Sequence, residues 1–223
     1  MNKTLNNQKD FWSGKGGEVW VKNQISMDLT LAPLGDEALS KLDIRENSSV
    51  LDVGCGCGTT TIEIAKKLGS IGRVTGVDIS IPMINKANIN LESTKLHNIK
   101  FILSDVEQND LTANFNDAIY SRFGVMFFNN PEKAFHNIFN SLNIRGRISF
   151  VCWQKPTLNP WQYIAMQSIK RFIQLPETPK EGPGPFSFKD KNYILDLMKK
   201  TNFKKISITN LEKEIYFFKN HTI

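Results

Sequence analysis

Cysteine is scarce in this chain: 223 residues hold only Cys55, Cys57 and Cys152. Three cysteines so spaced make no disulfide framework. Cys55 and Cys57 lack the second ligand pair that a structural zinc site needs, so they read as small loop residues. Histidine is equally sparse, and His97, His136 and His221 pair with no recognisable nucleophile. No apolar run reaches the ~18 residues of a membrane-crossing helix. The opening MNKTLNNQKDFW has no apolar export core, so the cytoplasm is the expected compartment. The formal net charge is +6, but the lysines are scattered, with only pairs such as Lys66-Lys67, Lys199-Lys200 and Lys204-Lys205. A nucleic-acid surface gathers its cations into a patch with interleaved aromatics, so nucleic acid is not an expected partner. There is no internal repeat and no low-complexity tract. What remains is an ordinary globular composition, 40% hydrophobic and 22% charged, long enough for one domain with a full core.

The organising stretch is Val50-Leu51-Asp52-Val53-Gly54-Cys55-Gly56-Cys57-Gly58-Thr59-Thr60-Thr61. A short apolar run ends in an acid, a glycine turn follows, and Ile62–Leu68 reads as a helix. This is the strand–loop–helix unit that opens an open α/β sheet. The alternating glycines leave bare backbone against which a ligand can lie. The helix behind them aims its free N–H groups at that ligand. The spacing is G-x-G-x-G, whereas a dinucleotide fold wants G-x-G-x-x-G. Arg73-Val74-Thr75-Gly76-Val77-Asp78-Ile79 reads as a second buried strand. Its acid, Asp78, is placed to accept both hydroxyls of an adenosine ribose.

In these motifs the chain resembles the class I S-adenosylmethionine-dependent methyltransferases. The resemblance rests on VLDVGCGCGTTT, then VTGVDIS with Pro82-Met83, then FILSDVE, in order. It is nearest the small-molecule branch that includes the ubiquinone and menaquinone biosynthesis enzymes. It implies an α/β, Rossmann-like doubly wound, mostly parallel sheet with helices on both faces. It also implies S-adenosyl-L-methionine as cofactor. The family's cofactor-contacting positions fall here on Asp52, Gly54, Cys55, Gly56, Gly58 and Thr59 of the first loop, and on Asp78, Ile79 and Met83 after the second strand. Asp105 and Val106 follow the third strand, where the acid takes the adenine amino group. Ser121, Arg122 and Phe123 follow the fourth, and Trp12 and Trp20 come from the N-terminal segment.

A single domain is expected: a helical lid over 1–47, a cofactor-binding core over 48–153 and an acceptor-side cap over 154–223. Trp12 and Trp20 flank a glycine-rich segment, and either anchor it to the core or close over the pocket. A helix is expected from Glu18 to about Leu31, and Pro33 is expected to open another to about Leu42. Ser80 caps a helix reaching about Thr94. Strands are expected at Ile99–Leu103, Phe115–Ser121 and Asn143–Trp153, with a helix from Pro131 to about Leu142. Arg122 either binds a carboxylate, of the cofactor's methionine or of the acceptor, or makes a surface ion pair. Beyond Trp153, a helix runs from Asn159 to about Gln174. The proline- and glycine-rich Pro176–Pro185 is either a flap or a connector. A helix over 189–201 precedes strands at Phe203–Thr209 and Lys213–Phe218. Relatives usually finish with an antiparallel strand beside strand five. Either Glu214–Lys219 fills that role, or the sheet keeps a bare edge suited to pairing with another chain. A monomer or homodimer is therefore expected.

Methyl transfer needs chiefly position and environment from the protein, because the cofactor carries the reactive group. No histidine is singled out as a general base. The expected activity is methyl transfer to a small-molecule acceptor, without metal and without membrane insertion. The alternatives are a non-catalytic adenosine-ligand module and a nicotinamide-dependent oxidoreductase. The latter is disfavoured by the glycine spacing and has no need of Asp105. The Asn- or Asp-Pro-Pro-aromatic motif of amino-methylating enzymes is absent after strand four, where the chain reads SRFG.

Overall fold

A computed structural model describes residues 8–109, 111–113, 115–174 and 182–216. Among the described residues, three helices come first: α1 (Gln8–Ser13), α2 (Lys15–Lys22) and α3 (Gln24–Leu39). They are followed by β1 (Ser49–Val53), α4 (Thr59–Lys67), β2 (Arg73–Asp78), α5 (Ile81–Glu92) and β3 (Ile99–Leu103). Then come β4 (Asn116–Arg122), α6 (Pro131–Ser141), β5 (Leu142–Val151), α7 (Pro160–Ile169) and α8 (Lys191–Lys200). The five strands form one sheet in the order β3-β2-β1-β4-β5, and every pair is parallel. The doubly wound expectation therefore holds.

Register explains why both faces are apolar. Val50 pairs with Val74 and Ala118, and these point to the side covered by α3 and α4. Their neighbours Leu51 and Ile119 point the other way, into a core with Phe135 and Ile138 of α6 and Ile194 and Leu197 of α8. A strand buried on both sides reads as a continuous apolar run, as β1 does. Local signals set the helix starts. Ser80 Oγ accepts from Met83 N–H at 3.4 Å ahead of α5, and Asn130 Oδ1 from Lys133 N–H at 3.0 Å ahead of α6. Both helices carry proline in the first turn. Between β3 and β4 the described residues form turns and no helix.

Four expectations about elements need correction. Pro33 does not open a helix but lies inside α3. The break falls earlier, at Asn23, which separates α2 from α3. Leu31, Leu34 and Ala38 are buried on both sides of Pro33, and that packing carries the helix through the missing N–H. Helix α7 stops at Ile169 instead of continuing to Gln174. No strand forms at 203–209 or at 213–216. Ile206, Ile208, Leu211 and Ile215 pack against the core as partly buried side chains without ladder bonds. Their alternation therefore reflects burial, not pairing. Residues 217–219, which the last expected strand also included, lie outside the described residues.

Candidate functional site

The carboxyl ends of the parallel strands meet the N-terminal helices around a cavity of about 320 Å³. Its floor is the turn after β1. Gly54 adopts φ 70° and Gly58, which caps α4, φ 83°. A Cβ on Gly54 would stand 2.8 Å from Gly124 Cα, so the turns after β1 and β4 touch backbone to backbone. Both Gly54 and Cys55 donate their N–H to the Val77 carbonyl, at 2.8 and 3.1 Å. Asp78 completes the cradle: its Oδ2 accepts from Gly56 N–H and its Oδ1 from Ser80 N–H, each at 2.9 Å. A carboxylate has about four acceptor sites, so room for two further donors remains. Burial pushes the Asp78 pKa up, opposed by the backbone N–H groups of Ser80, Gly56 and Ile79.

Of the residues expected to meet a cofactor, Trp12, Trp20, Gly54, Cys55, Gly56, Asp78, Ile79, Met83, Asp105, Val106, Arg122 and Phe123 all line this cavity. Asp52, Gly58, Thr59 and Ser121 do not line it. Asp52 is fully buried beneath the turn, where its Oδ2 accepts from the Thr60 and Thr61 hydroxyls at 2.8 and 2.7 Å. It fastens the start of α4, and burial raises its pKa. Ser121 is also fully buried and donates to the Val53 carbonyl at 2.7 Å. Gly58 lies against the Phe101 ring. The Thr59 hydroxyl is turned toward α3 and donates to Asp28 Oδ2 at 2.6 Å.

Asp28 is a residue the sequence reading missed. It lines the cavity, and its other oxygen pairs with Arg122 Nη2 in an ion pair whose side chains are only 15% and 11% exposed. Arg122 therefore has a partner inside the molecule, not at its surface. The available signal was a lone acid in the apolar stretch Ile25–Leu31, the kind of residue a buried face holds only when paired. Glu107 was missed too. It is buried at the cavity wall, and its two oxygens accept from Asn129 and Asn130 N–H at 2.6 and 2.8 Å. It thereby ties the segment after β3 to the turn before α6. Asp105 beside it accepts from Glu107 N–H at 2.9 Å.

Aromatic side chains build the rest of the wall. Trp12 meets Phe127 and Trp20 edge-on, with centroids 5.0 and 6.1 Å apart, and its indole N–H donates to Gln8 Oε1 at 3.1 Å. Phe123 takes φ 59°, rare for a side chain of its size, and stacks on Trp153 at 4.3 Å. Trp153 in turn touches Trp161, at 5.4 Å. All four tryptophans thus border one cavity. The N-terminal segment is fastened directly to the chain after Asp78: Ser80 Oγ donates to the Trp12 carbonyl at 2.5 Å, and Ser13 Oγ to the Ile79 carbonyl at 3.0 Å. Of the expected flap, residues 176–181 lie outside the described residues. Pro185 reaches the cavity, and Gly184 N–H binds the Met126 carbonyl at 3.0 Å.

Neither His97 nor His136 lines the cavity, and His221 lies outside the described residues. Cys57 is pushed up to about 12 by burial, and Cys55 is raised well above its ordinary value for the same cause. Both thiols therefore stay protonated near neutral pH and serve as small walls, not nucleophiles. A larger, open hollow of about 870 Å³ lies at the amino ends of β2, β3 and β4. It has none of the glycine turn or strand-end acids, so size alone does not mark the site.

Strand-end acids, a bare glycine turn and an aromatic wall now share one cavity. A family model described as a methyltransferase domain matches residues 44–176, more than half of the chain. The chain belongs to that family. It is a class I S-adenosylmethionine-dependent methyltransferase domain, similar to enzymes of quinone biosynthesis. The demethylmenaquinone methyltransferase of Listeria welshimeri is 22% identical over 163 residues, which cover 66% of this chain and 69% of that one. The 23S rRNA (uracil(1939)-C(5))-methyltransferase RlmD of Aliivibrio fischeri is 38% identical over 73 residues, covering 33% of this chain and 16% of that protein. The chain thus spans only about a sixth of the length of that relative. In fold, it superposes on a SAM-dependent methyltransferase from Aquifex aeolicus with a TM-score of 0.63 at 19% identity, covering 83% of this chain and 88% of the other. None of these comparisons favours a nicotinamide enzyme or a non-catalytic module.

The cavity of this methyltransferase domain fits the family's cofactor on its own terms. Asp78 has acceptor capacity left over for ribose hydroxyls. Gly54 and Gly56, both at positive φ, keep the turn free of side chains. Asp28 and Arg122 set an anion and a cation on the cavity wall.

Proposed function

We propose that this domain transfers a methyl group from S-adenosylmethionine to a small-molecule acceptor. The reading is carried by one observation: Asp78, Asp105 and the Gly54–Gly56 turn converge on a single cavity closed by aromatic side chains. Asp78 would accept the two ribose hydroxyls, and Asp105 with the Val106 backbone would take the adenine. Asp28 and Arg122 offer opposite charges to the zwitterionic methionine end. Bound there, the cofactor supplies an electrophilic methyl group on a cationic sulfur. The protein's contribution is position and dryness. Trp12, Trp20, Trp153 and Trp161 would exclude water and hold an apolar acceptor in line. Residues 1–47 act as the lid, 48–153 as the cofactor-binding core and 154–223 as the acceptor-side cap. No side chain is assigned as a general base. The demethylmenaquinone relative supports a small acceptor, since it matches two thirds of the chain, whereas the rRNA relative matches one third.

The test has two arms. Calorimetry is expected to show binding of S-adenosylmethionine and S-adenosylhomocysteine and none of NAD. Incubation with isotope-labelled S-adenosylmethionine and a metabolite extract is expected to give a labelled small molecule by mass spectrometry. Label that appears only in added RNA, or tight NAD binding alone, would overturn the proposal.

A further inference from the structure

Helix α7 has no buried residue. Leu158, Tyr163, Ile164, Ile169, Phe172 and Ile173 all stand in solvent, with Ile164 63% and Phe172 85% exposed. A helix apolar on nearly all sides is normally covered, and a contiguous exposed apolar patch marks a binding surface. Within residues 152–174 the charges have one sign, and the next acids, Glu177 and Glu181, lie outside the described residues. Lys155, Lys170 and Arg171 flank the patch, and residues 152–174 contain no Asp or Glu. Trp161 and Tyr163 add the amphipathic rings that settle where an apolar phase meets water. The patch is also continuous with the site, since Trp161 and Gln162 of the same helix line the 320 Å³ cavity.

We propose that α7 and the turn at 170–173 dock on the surface of an anionic lipid bilayer, with the mouth of the cavity facing the lipid. Charge decides between a bilayer and a second copy of this chain. A symmetric contact through the patch would bring Lys155, Lys170 and Arg171 toward their own copies with no acid in the segment to offset them. An anionic surface meets the same three cations favourably. The docking is peripheral, because no helix among the described residues is long and apolar enough to cross a membrane. It does not depend on which acceptor is methylated, so its failure leaves the proposed function standing.

The test is co-sedimentation of the full chain with vesicles of phosphatidylcholine alone, and of equal parts phosphatidylcholine and phosphatidylglycerol. The protein is expected to pellet with the anionic vesicles and to be released by salt. Lys170→Gln with Arg171→Gln should weaken the partitioning about twenty-five-fold, about fivefold per charge. Phe172→Ser with Ile173→Ser should weaken it at least as far. None of these four side chains lines the cavity, so calorimetric binding of S-adenosylhomocysteine should persist and report that each variant is folded. Wild-type protein that stays in the supernatant with both vesicles overturns the proposal, as do variants that pellet like wild type. Sedimentation velocity showing a dimer that Phe172→Ser with Ile173→Ser dissolves would assign the patch to self-association instead, and also overturns it.

Discussion

Replacing Asp78 with alanine separates what the carboxylate does for the fold from what it does for the ligand. In the protein alone it receives two backbone N–H groups, from Gly56 and Ser80, each at 2.9 Å. Charge-assisted bonds of this kind stabilise by about 1.5–3 kcal/mol each, but the buried charge has its own desolvation cost. Burial is the largest influence on Asp78, since its pKa is raised despite the backbone N–H groups of Ser80, Gly56 and Ile79. The two contributions offset, so the variant should fold, with a stability change within about 1 kcal/mol. The ligand feels no such cancellation. Losing the acceptor of two ribose hydroxyls should cost roughly 1.5–3 kcal/mol, or about ten- to a hundredfold in the dissociation constant of S-adenosylhomocysteine. The pH dependence gives a second readout. Only the ionised carboxylate accepts both hydroxyls, so affinity should fall with acidification, beginning above the ordinary carboxylate value of 3.8. Stability of the free protein should respond to this group in the opposite sense. A raised folded pKa contributes stability below 3.8 that is lost as pH rises toward the folded value. Titration calorimetry across pH, paired with thermal melts, measures both. A folded Asp78→Ala protein with an unchanged dissociation constant would remove the carboxylate from the site.

Removing Asp28 alone should be more damaging to the fold than removing both members of its pair. Asp28→Ala leaves the Arg122 cation enclosed without a partner, at a cost of about 3–5 kcal/mol, and Asp28→Ala with Arg122→Met should recover much of it; equal melting points for the single and double variants would contradict a coupled pair. The lid is tested by tryptophan emission and hydrogen exchange. Cofactor with an acceptor analogue should protect residues 11–22 and 182–188; if only the first segment responds, the loop is a connector, and if neither does, there is no lid. Gly17→Val should weaken cofactor binding by prying α2 from α5, because a Cβ there would stand 2.1 Å from the Trp12 carbonyl oxygen and 2.5 Å from Ser80 Oγ; retained wild-type affinity would show that α2 does not hold the lid closed.

Twelve of the sixteen residues expected at the site do border the cavity, and most of those twelve share a reason for being legible. Most follow directly on a strand, and a parallel sheet delivers whatever follows its strands to the same edge. The four that do not line it belong to the same motifs, but Asp52 and Ser121 face inward, Thr59 turns to Asp28 of α3 and Gly58 packs on Phe101. Which way a side chain points within a turn depends on φ and ψ, and spacing does not encode them. Asp28 and Glu107 were illegible for a different reason. Each acquires meaning only from a partner distant in sequence, Arg122 for one and the Asn129–Asn130 backbone for the other. The region after Phe203 misled because apolar alternation specifies a buried side, and a side can be buried without a neighbouring strand to pair with.

The fastening of Trp12 to Ser80 and of Ser13 to Ile79 also sets a clock. Both contacts fall within two residues of Asp78, the residue proposed to hold the ribose, so a nucleoside leaving past α1 would disturb the fastening. Two neutral hydrogen bonds, at about 0.5–1.5 kcal/mol each, together with the edge-on contact of Trp12 and Phe127, oppose that opening. A cofactor seated against Asp78 would be held after the reaction by the same clasp that shields it before. If α1 and α2 act as a lid, the pace of repeated turnovers would be set by how often they let go, and a first turnover faster than those that follow is the kinetic trace it would leave.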